Sequence, residues 1–252
     1  MSLNDGGLLY YFFEPQTTRF AIFFLLFTVS TIACAYLLGS INSAIIISRT
    51  LYGDDIRKHG SGNAGLTNML RTYGKGAAGL TLIGDLMKTA IAIFISAVFF
   101  GFNYVAGLST GDGMCYVAGM FAVVGHIAPI YHKFKGGKGV LATATMALIL
   151  TPVPFLIIFA IFVGVVAISK YVSLGSVITA VLYPVLLHGT FAVVFSKAQS
   201  PLPGLAALSS IMLAIIIVWC HRENLQRIMD RTERKLSFKK KSESDESEHG
   251  EK

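Results

Sequence analysis

Seven stretches free or nearly free of charge, at 20–47, 76–100, 114–131, 140–151, 152–168, 171–195 and 204–220, dominate this chain. Inside hydrocarbon a backbone must satisfy its own N–H and C=O groups, which leaves helices or a closed barrel; unbroken apolar runs select helices. With 54% hydrophobic residues and a mean hydropathy of +0.64, the chain reads as an integral membrane protein. The expected fold is all-α, a polytopic bundle of about seven transmembrane helices. Thr151-Pro-Val-Pro154 interrupts one long apolar run. Two prolines so close disfavour a continuous helix and predict a hairpin of short helices there.

The sequence divides into an external extension at 1–19, a membrane-embedded domain at 20–230 and a charged, disordered cytoplasmic tail at 231–252. The 20–47 stretch is too long for a signal-peptide core and is read as a retained span. The aromatic run Leu8–Phe13 belongs at the outer interface. Orientation follows from Lys and Arg. With the N terminus outside, Arg49, Arg57, Lys58, Arg71, Lys75, Lys133, Lys135, Lys138 and Lys170 fall inside, and the tail after Cys220 adds nine more. Arg19 and Lys197 remain outside. A net charge of +7 is thereby accounted for by topology, without nucleic acid.

Six polar patches sit at the ends of the apolar runs, beginning at Gly39, Asp55, Gly84, Gly125, Lys170 and His221. A protein that only spans or packs has no use for so much glycine, hydroxyl and amide there. Gly60-Ser-Gly-Asn-Ala-Gly65 lets successive N–H groups turn toward one anion, with Ser61 and Asn63 as further donors. Arg71 adds a fork matched to phosphate, and Arg57 and Lys58 raise the local positive charge. Lys135-Gly-Gly-Lys-Gly139 is a second cradle at a helix start. It is not a Walker A loop, because Gly139 follows Lys138 where Ser or Thr is needed. Two cradles on one side of the membrane suggest two phosphorylated ligands.

His221 and Asn224, three apart, share a helix face. Asp85 and Lys88 stand in an otherwise apolar helix, where a charge must be partnered, so a salt bridge shaping the pocket is expected. Cys34, Cys115 and Cys220 show no metal or disulfide spacing, and neither His126 nor His188 has a second ligand at metal spacing. There is no G-x-S-x-G and no H-E-x-x-H. A transporter for a phosphorylated solute and a lipid-binding scaffold remain as rival readings; the first would show repeated halves, which are absent.

In this order, GSGNxGxTNxxRxxG, GHxxPxxxxFKGGKGV, KYVSLGS and HRENLxRI resemble the PlsY family of acyl-phosphate:glycerol-3-phosphate acyltransferases, from about Tyr36 to Lys235. The resemblance implies a seven-helix enzyme of the bacterial inner membrane, with its site open to the cytoplasm. It would move an acyl group from acyl-phosphate to the 1-hydroxyl of glycerol 3-phosphate, giving lysophosphatidic acid and phosphate without a cofactor or metal. Membrane lipid and a soluble enzyme that makes the acyl phosphate are the implied partners. The His-x4-Asp motif of acyltransferases that use acyl thioesters is missing. Carried over by position, Ser61, Arg71, Ser173, His221 and Asn224 are the catalytic candidates. Gly60, Gly62, Asn63, Gly65, Asn68, Gly136, Gly137, Lys138 and Gly139 are substrate-binding candidates, and Asp85, Lys88 and Glu233 are structural. The chain departs from the usual pattern at Asn42 (for proline), Leu66 (for alanine), Leu141, Cys220 (for arginine) and Arg231 (for glycine).

Overall fold

A computed structural model describes residues 7–15, 17–101, 104–105, 108–109, 113–194 and 204–236. The tail beyond 236 and the first six residues of the extension lie outside them. The chain folds into α1 (Gly7–Phe12), α2 (Thr18–Ser40), α3 (Ser43–Tyr52), α4 (Leu66–Phe100), α5 (Met114–Ile127), α6 (Val140–Leu150), α7 (Pro152–Ser169), α8 (Val172–Val194), α9 (Gly204–Cys220) and α10 (Arg222–Met229). The two-residue strands β1 (Tyr104–Val105) and β2 (Leu108–Ser109) pair antiparallel between α4 and α5. The fold is otherwise all-helical, as expected.

Local chemistry sets the helix ends. Thr17 caps α2, its side-chain oxygen accepting the Phe20 N–H. Asn42, the departure from proline, starts α3: its Oδ1 accepts the Ile45 N–H at 3.1 Å while its Nδ2 donates to the Ala64 carbonyl at 3.3 Å. A proline has neither group, so this chain ties α3 to the following loop by its own means. Within α4, Gly74 adopts φ 84° and ψ −169°, a conformation open only to glycine, and divides a short first segment from the long apolar one.

All seven apolar segments are helical, but they are not equal. Five spans are long and apolar enough to cross a bilayer unaided: Thr18–Tyr52, Leu66–Phe100, Met114–His132, Pro152–Ser169 and Val172–Val193. A sixth arises if α9 and α10, bent by 51° at their junction, count together. The eleven residues of α6 rise about 17 Å against about 30 Å of hydrocarbon, so α6 goes only part-way. The proline break thus separates a short helix from a long one, rather than two short ones.

The helices associate through small residues and apolar packing. Gly39 on α2 lies against the Ala122 carbonyl of α5, and Gly125 on α5 lies against the backbone at Tyr36 and Ser40. Such crossings bring two backbones together, as membrane bundles commonly do. The main core joins α4 through α9, with Ile93, Tyr116, Val123, Met146, Leu187 and Leu213 buried. Leu25, Val29, Leu156, Val185 and Ile215 point outward, as a lipid solvent requires. The aromatic run at the start forms α1, whose Leu9 is buried with Phe100 and Met114 at one end of the bundle. The polar patches lie away from that end, and Gly84–Lys88, expected at the end of an apolar run, falls within α4.

Candidate active site

The loop from Gly53 to Gly65 is tied down before it meets any ligand. Asp55 pairs with Arg49 at 2.8 Å and with Arg57 at 2.7 Å. Hydrogen bonds from Arg57, above all, hold the Asp55 carboxyl well below the usual carboxylate range. Arg57 also donates to the carbonyls of His132 and Lys135, which fastens this loop to the one between α5 and α6. Lys58 and His59 both pair with Asp54. Arg57 and Lys58 therefore pair with Asp55 and Asp54, and neither lines the cavity described below, contrary to expectation.

Asn68 lines the cavity and braces the glycine-rich loop. Its Nδ2 donates toward the carbonyls of Ile56, His59 and Asn63, and its Oδ1 accepts the Ser61 N–H at 3.0 Å. A side chain so engaged shapes the glycine-rich loop. Asn68→Ala is expected to destabilise the protein by about 2–3 kcal/mol, because buried carbonyls lose their donor. Thermal unfolding in detergent measures this, and an unchanged midpoint would contradict the assignment.

The second cradle is likewise divided. Gly136 and Gly137 donate their N–H groups to the carbonyls of Ile127 and His126, each at 3.1 Å, so these two amides are unavailable to an anion. Their lack of a Cβ matters for packing: a methyl on Gly137 would strike the His126 ring, and one on Gly136 the His126 carbonyl. The free part of the cradle begins one residue later. Gly139 takes φ 78° and caps α6, whose first N–H groups have no carbonyl one turn back. Lys138, half-buried beside them, directs its ammonium to Oδ1 of Asn224. Burial, with Arg227 next in effect, lowers the Lys138 pKa below its ordinary value.

A third wall comes from α8, α10 and the segment after α10. Glu233 Oε1 accepts from Ser173 Oγ at 2.8 Å and from Asn224 Nδ2 at 2.6 Å, while Oε2 accepts from Arg227 Nε at 2.8 Å. Burial pushes this carboxyl up, but the three hydrogen bonds outweigh it and leave the pKa lowered. The segment is held over the cavity by two further bonds. Leu236 N–H donates to the Lys170 carbonyl at 2.7 Å, and Arg71 to the Arg234 carbonyl at 3.3 Å. Arg231, the departure from glycine, sits at φ 58°, a backbone region where glycine carries no steric penalty. His221, just past the end of α9, donates from Nδ1 to the Ile217 carbonyl at 2.8 Å. Burial pushes its pKa down to about 4, so near neutral pH the ring is uncharged and Nε2 carries a lone pair.

These groups line one cavity of about 810 Å³. Its polar end takes Gly60, Ser61, Gly62, Asn63, Gly65, Arg71, Lys138, Gly139, Ser173, His221, Asn224 and Glu233. Asp85 reaches the wall; Lys88 lies behind it, paired with Asp85 at 2.8 Å as expected. Leu66, Leu141 and Cys220, three of the departures, also lie on the wall. An apolar arm continues between α6, α7 and α8, past Ala147, Phe155, Ile158, Phe159, Phe162 and Tyr183. Sequence reasoning did not single out this arm, because residues there look like any lipid-facing or packing residue. It also passed over Arg227, though that residue lies within the HRENLQRI patch, and the wall residue Thr143, and it weighed His126 only as a metal ligand.

The profile of the glycerol-3-phosphate acyltransferase family matches residues 29–231. This chain belongs to that family. A glycerol-3-phosphate acyltransferase of Mycoplasmopsis agalactiae is 38% identical over 81% of this chain and 91% of its own length. Those of Clostridioides difficile and Bacillus subtilis are 39% and 35% identical, each over 82% of this chain and over 94% and 96% of their own lengths. The fold is also similar to crystal structures of PlsY, an integral membrane glycerol 3-phosphate acyltransferase. Its glycerol 3-phosphate form superimposes with a TM-score of 0.69 at 28% identity, covering 83% of this chain and 96% of that one. Its lysophosphatidic acid form gives 0.67. The protein is thus a PlsY-like integral membrane glycerol-3-phosphate acyltransferase.

Proposed function

We propose that the acyl donor is an acyl phosphate, and that the products are lysophosphatidic acid and inorganic phosphate. One observation carries this reading: a single cavity joins an apolar arm to two separate groups of cationic side chain and glycine backbone suited to phosphate, the Gly60–Gly65 loop with Arg71 and the α6 N-terminus with Lys138. An acyl phosphate needs the arm and one element; glycerol 3-phosphate needs the other. The glycerol 3-phosphate and lysophosphatidic acid forms of the related PlsY agree with such a substrate and product.

In this reading Lys138, Gly139 and the first N–H groups of α6 hold the phosphate of glycerol 3-phosphate. Ser61, Arg71 and the glycine-rich loop hold the acyl phosphate, with its chain in the Phe155–Phe162 arm. Ser173 and Asn224, fixed by Glu233, set the position of Lys138. His221 Nε2 accepts a hydrogen bond from the attacking hydroxyl and orients it. An acyl phosphate is already activated, so no covalent enzyme intermediate is required. The substrate oxygen attacks the acyl carbon, the C–O bond to phosphate breaks, and the hydroxyl proton leaves with the phosphate. Catalysis then rests on aligning two anions that repel in water and on neutralising the leaving group.

The distribution of Lys and Arg supports a cytoplasmic opening, with access for a soluble enzyme that makes the acyl phosphate, and the bacterial relatives support residence in the bacterial cell (inner) membrane. The test is turnover by purified protein with labelled glycerol 3-phosphate and either acyl phosphate or acyl-CoA. Labelled lysophosphatidic acid is expected from acyl phosphate alone. Equal product from acyl-CoA would refute the donor assignment.

A further inference from the structure

Behind the cavity wall lies a buried polar cluster that the mechanism above leaves without a task. Lys88 on α4 contacts Asp85 Oδ1 at 2.8 Å, the Ile41 carbonyl at 2.9 Å and His126 Nδ1 at 2.9 Å. Two of its hydrogens go to the Ile41 carbonyl and His126 Nδ1, while Asp85 balances its charge as an ion pair. Asp85 is 1% exposed, Lys88 4% and His126 4%. A cluster of this kind is costly inside a membrane protein, since each charge must be taken out of water.

Its geometry sets the tautomer of a neutral His126 ring, whose Nδ1 lies 2.9 Å from Lys88 Nζ and farther, at 3.6 Å, from Asp85 Oδ1. An ammonium has donors only, so Nδ1 must accept, and the ring hydrogen is then on Nε2. Among the described residues Nε2 has no hydrogen-bond acceptor, although His126 lines the cavity. Nε2 lies beside Gly137, the residue before Lys138, where any side chain at Gly137 would meet it. A ring N–H on a buried residue that lines the cavity, next to the Lys138 cradle and held in one tautomer, is a prepared donor. Thr143 repeats the pattern on the first turn of α6: its hydroxyl is buried without a partner and the residue lines the same cavity.

We infer that His126 is a substrate-binding residue, donating from Nε2 to a phosphate oxygen held at the Lys138 cradle, with Asp85 and Lys88 as the positioning groups that fix its tautomer. This rests on the proposed use of that cradle for a phosphorylated ligand. It also accounts for the glycine at 137: the absent side chain opens the approach to Nε2.

Two substitutions separate the ring's two nitrogens. His126→Asn keeps an acceptor for Lys88 and removes the cavity donor; His126→Gln keeps a donor near the Nε2 position and gives up the Lys88 contact. The primary readout is the thermal shift that inorganic phosphate or glycerol 3-phosphate produces in full-length protein in detergent, which does not depend on the acyl donor. His126→Asn is expected to weaken glycerol 3-phosphate binding by about tenfold to a hundredfold, the worth of a hydrogen bond to a charged group, while His126→Gln retains most of the affinity. Loss with glycerol 3-phosphate, with or without a loss for inorganic phosphate, supports the inference; loss with inorganic phosphate alone places the donor at the other phosphate element and overturns it. Wild-type shifts in His126→Asn, or a greater loss in His126→Gln, overturn it. If His126→Asn does not fold, His126→Gln decides: a retained shift supports the donor, and a lost one refutes it. Wild-type turnover with acyl phosphate, run alongside, fails separately if the donor assignment is wrong.

Discussion

Lys138→Met is expected to lower kcat/KM for glycerol 3-phosphate by about a thousandfold, because it removes the ammonium that shares the α6 anion cradle. The neighbouring N–H groups contribute only partial charge and cannot replace a full one inside a half-buried site. Steady-state kinetics at varied glycerol 3-phosphate measures the loss, and a change of less than tenfold would remove Lys138 from the cradle. The pH profile gives an independent check. Burial holds Lys138 below its ordinary value of 10.5, so rising pH discharges it earlier than an exposed lysine. Wild-type kcat/KM is therefore expected to fall along an alkaline limb that begins below that value and to be unaffected by Lys138 on the acid side. Lys138→Arg, which stays charged, should lack this limb even where its overall rate is lower. An identical limb in both proteins would assign it to another group.

Glu233→Ala is expected to lower kcat/KM by about a hundredfold without any direct contact between Glu233 and the reacting atoms. Three donors depend on this one carboxylate. Ser173 and Asn224 would lose their common acceptor, and Asn224 also receives Lys138. Arg227 would lose its ion pair, though at 40% exposure its side chain can regain water. The effect therefore falls on alignment at the site more than on global stability. Kinetics together with thermal unfolding distinguishes the two: a normal rate in Glu233→Ala would mean that the segment after α10 merely rests on the cavity.

The chain itself announces where its chemistry lies, and the reason is solvent. Lipid permits glycine, amide and charge only where they are needed, so Gly60–Gly65, Lys135–Gly139, Ser173 and His221–Asn224 stand out against apolar helices. The Asp85–Lys88 pair was legible on the same ground, as two opposite charges one helical turn apart. What could not be read was how polar groups are spent. Arg57 resembles a ligand-binding residue until Asp55 is seen to occupy it, and the bracing of the loop carbonyls by Asn68 shows only in the fold. Gly136 and Gly137 resemble a cradle until their N–H groups are found on the end of α5.

The sequence alone determined an all-helical membrane bundle and the identity of its polar patches, because hydrophobicity and the need to satisfy backbone hydrogen bonds act locally along the chain. Only the tertiary structure decided that Phe155 and Phe162 line a cavity. It also turned His126 toward that cavity through Lys88, which lies 38 positions away in the chain. Pairing, burial and the choice of which donor remains free depend on neighbours distant in sequence, and no local pattern encodes them.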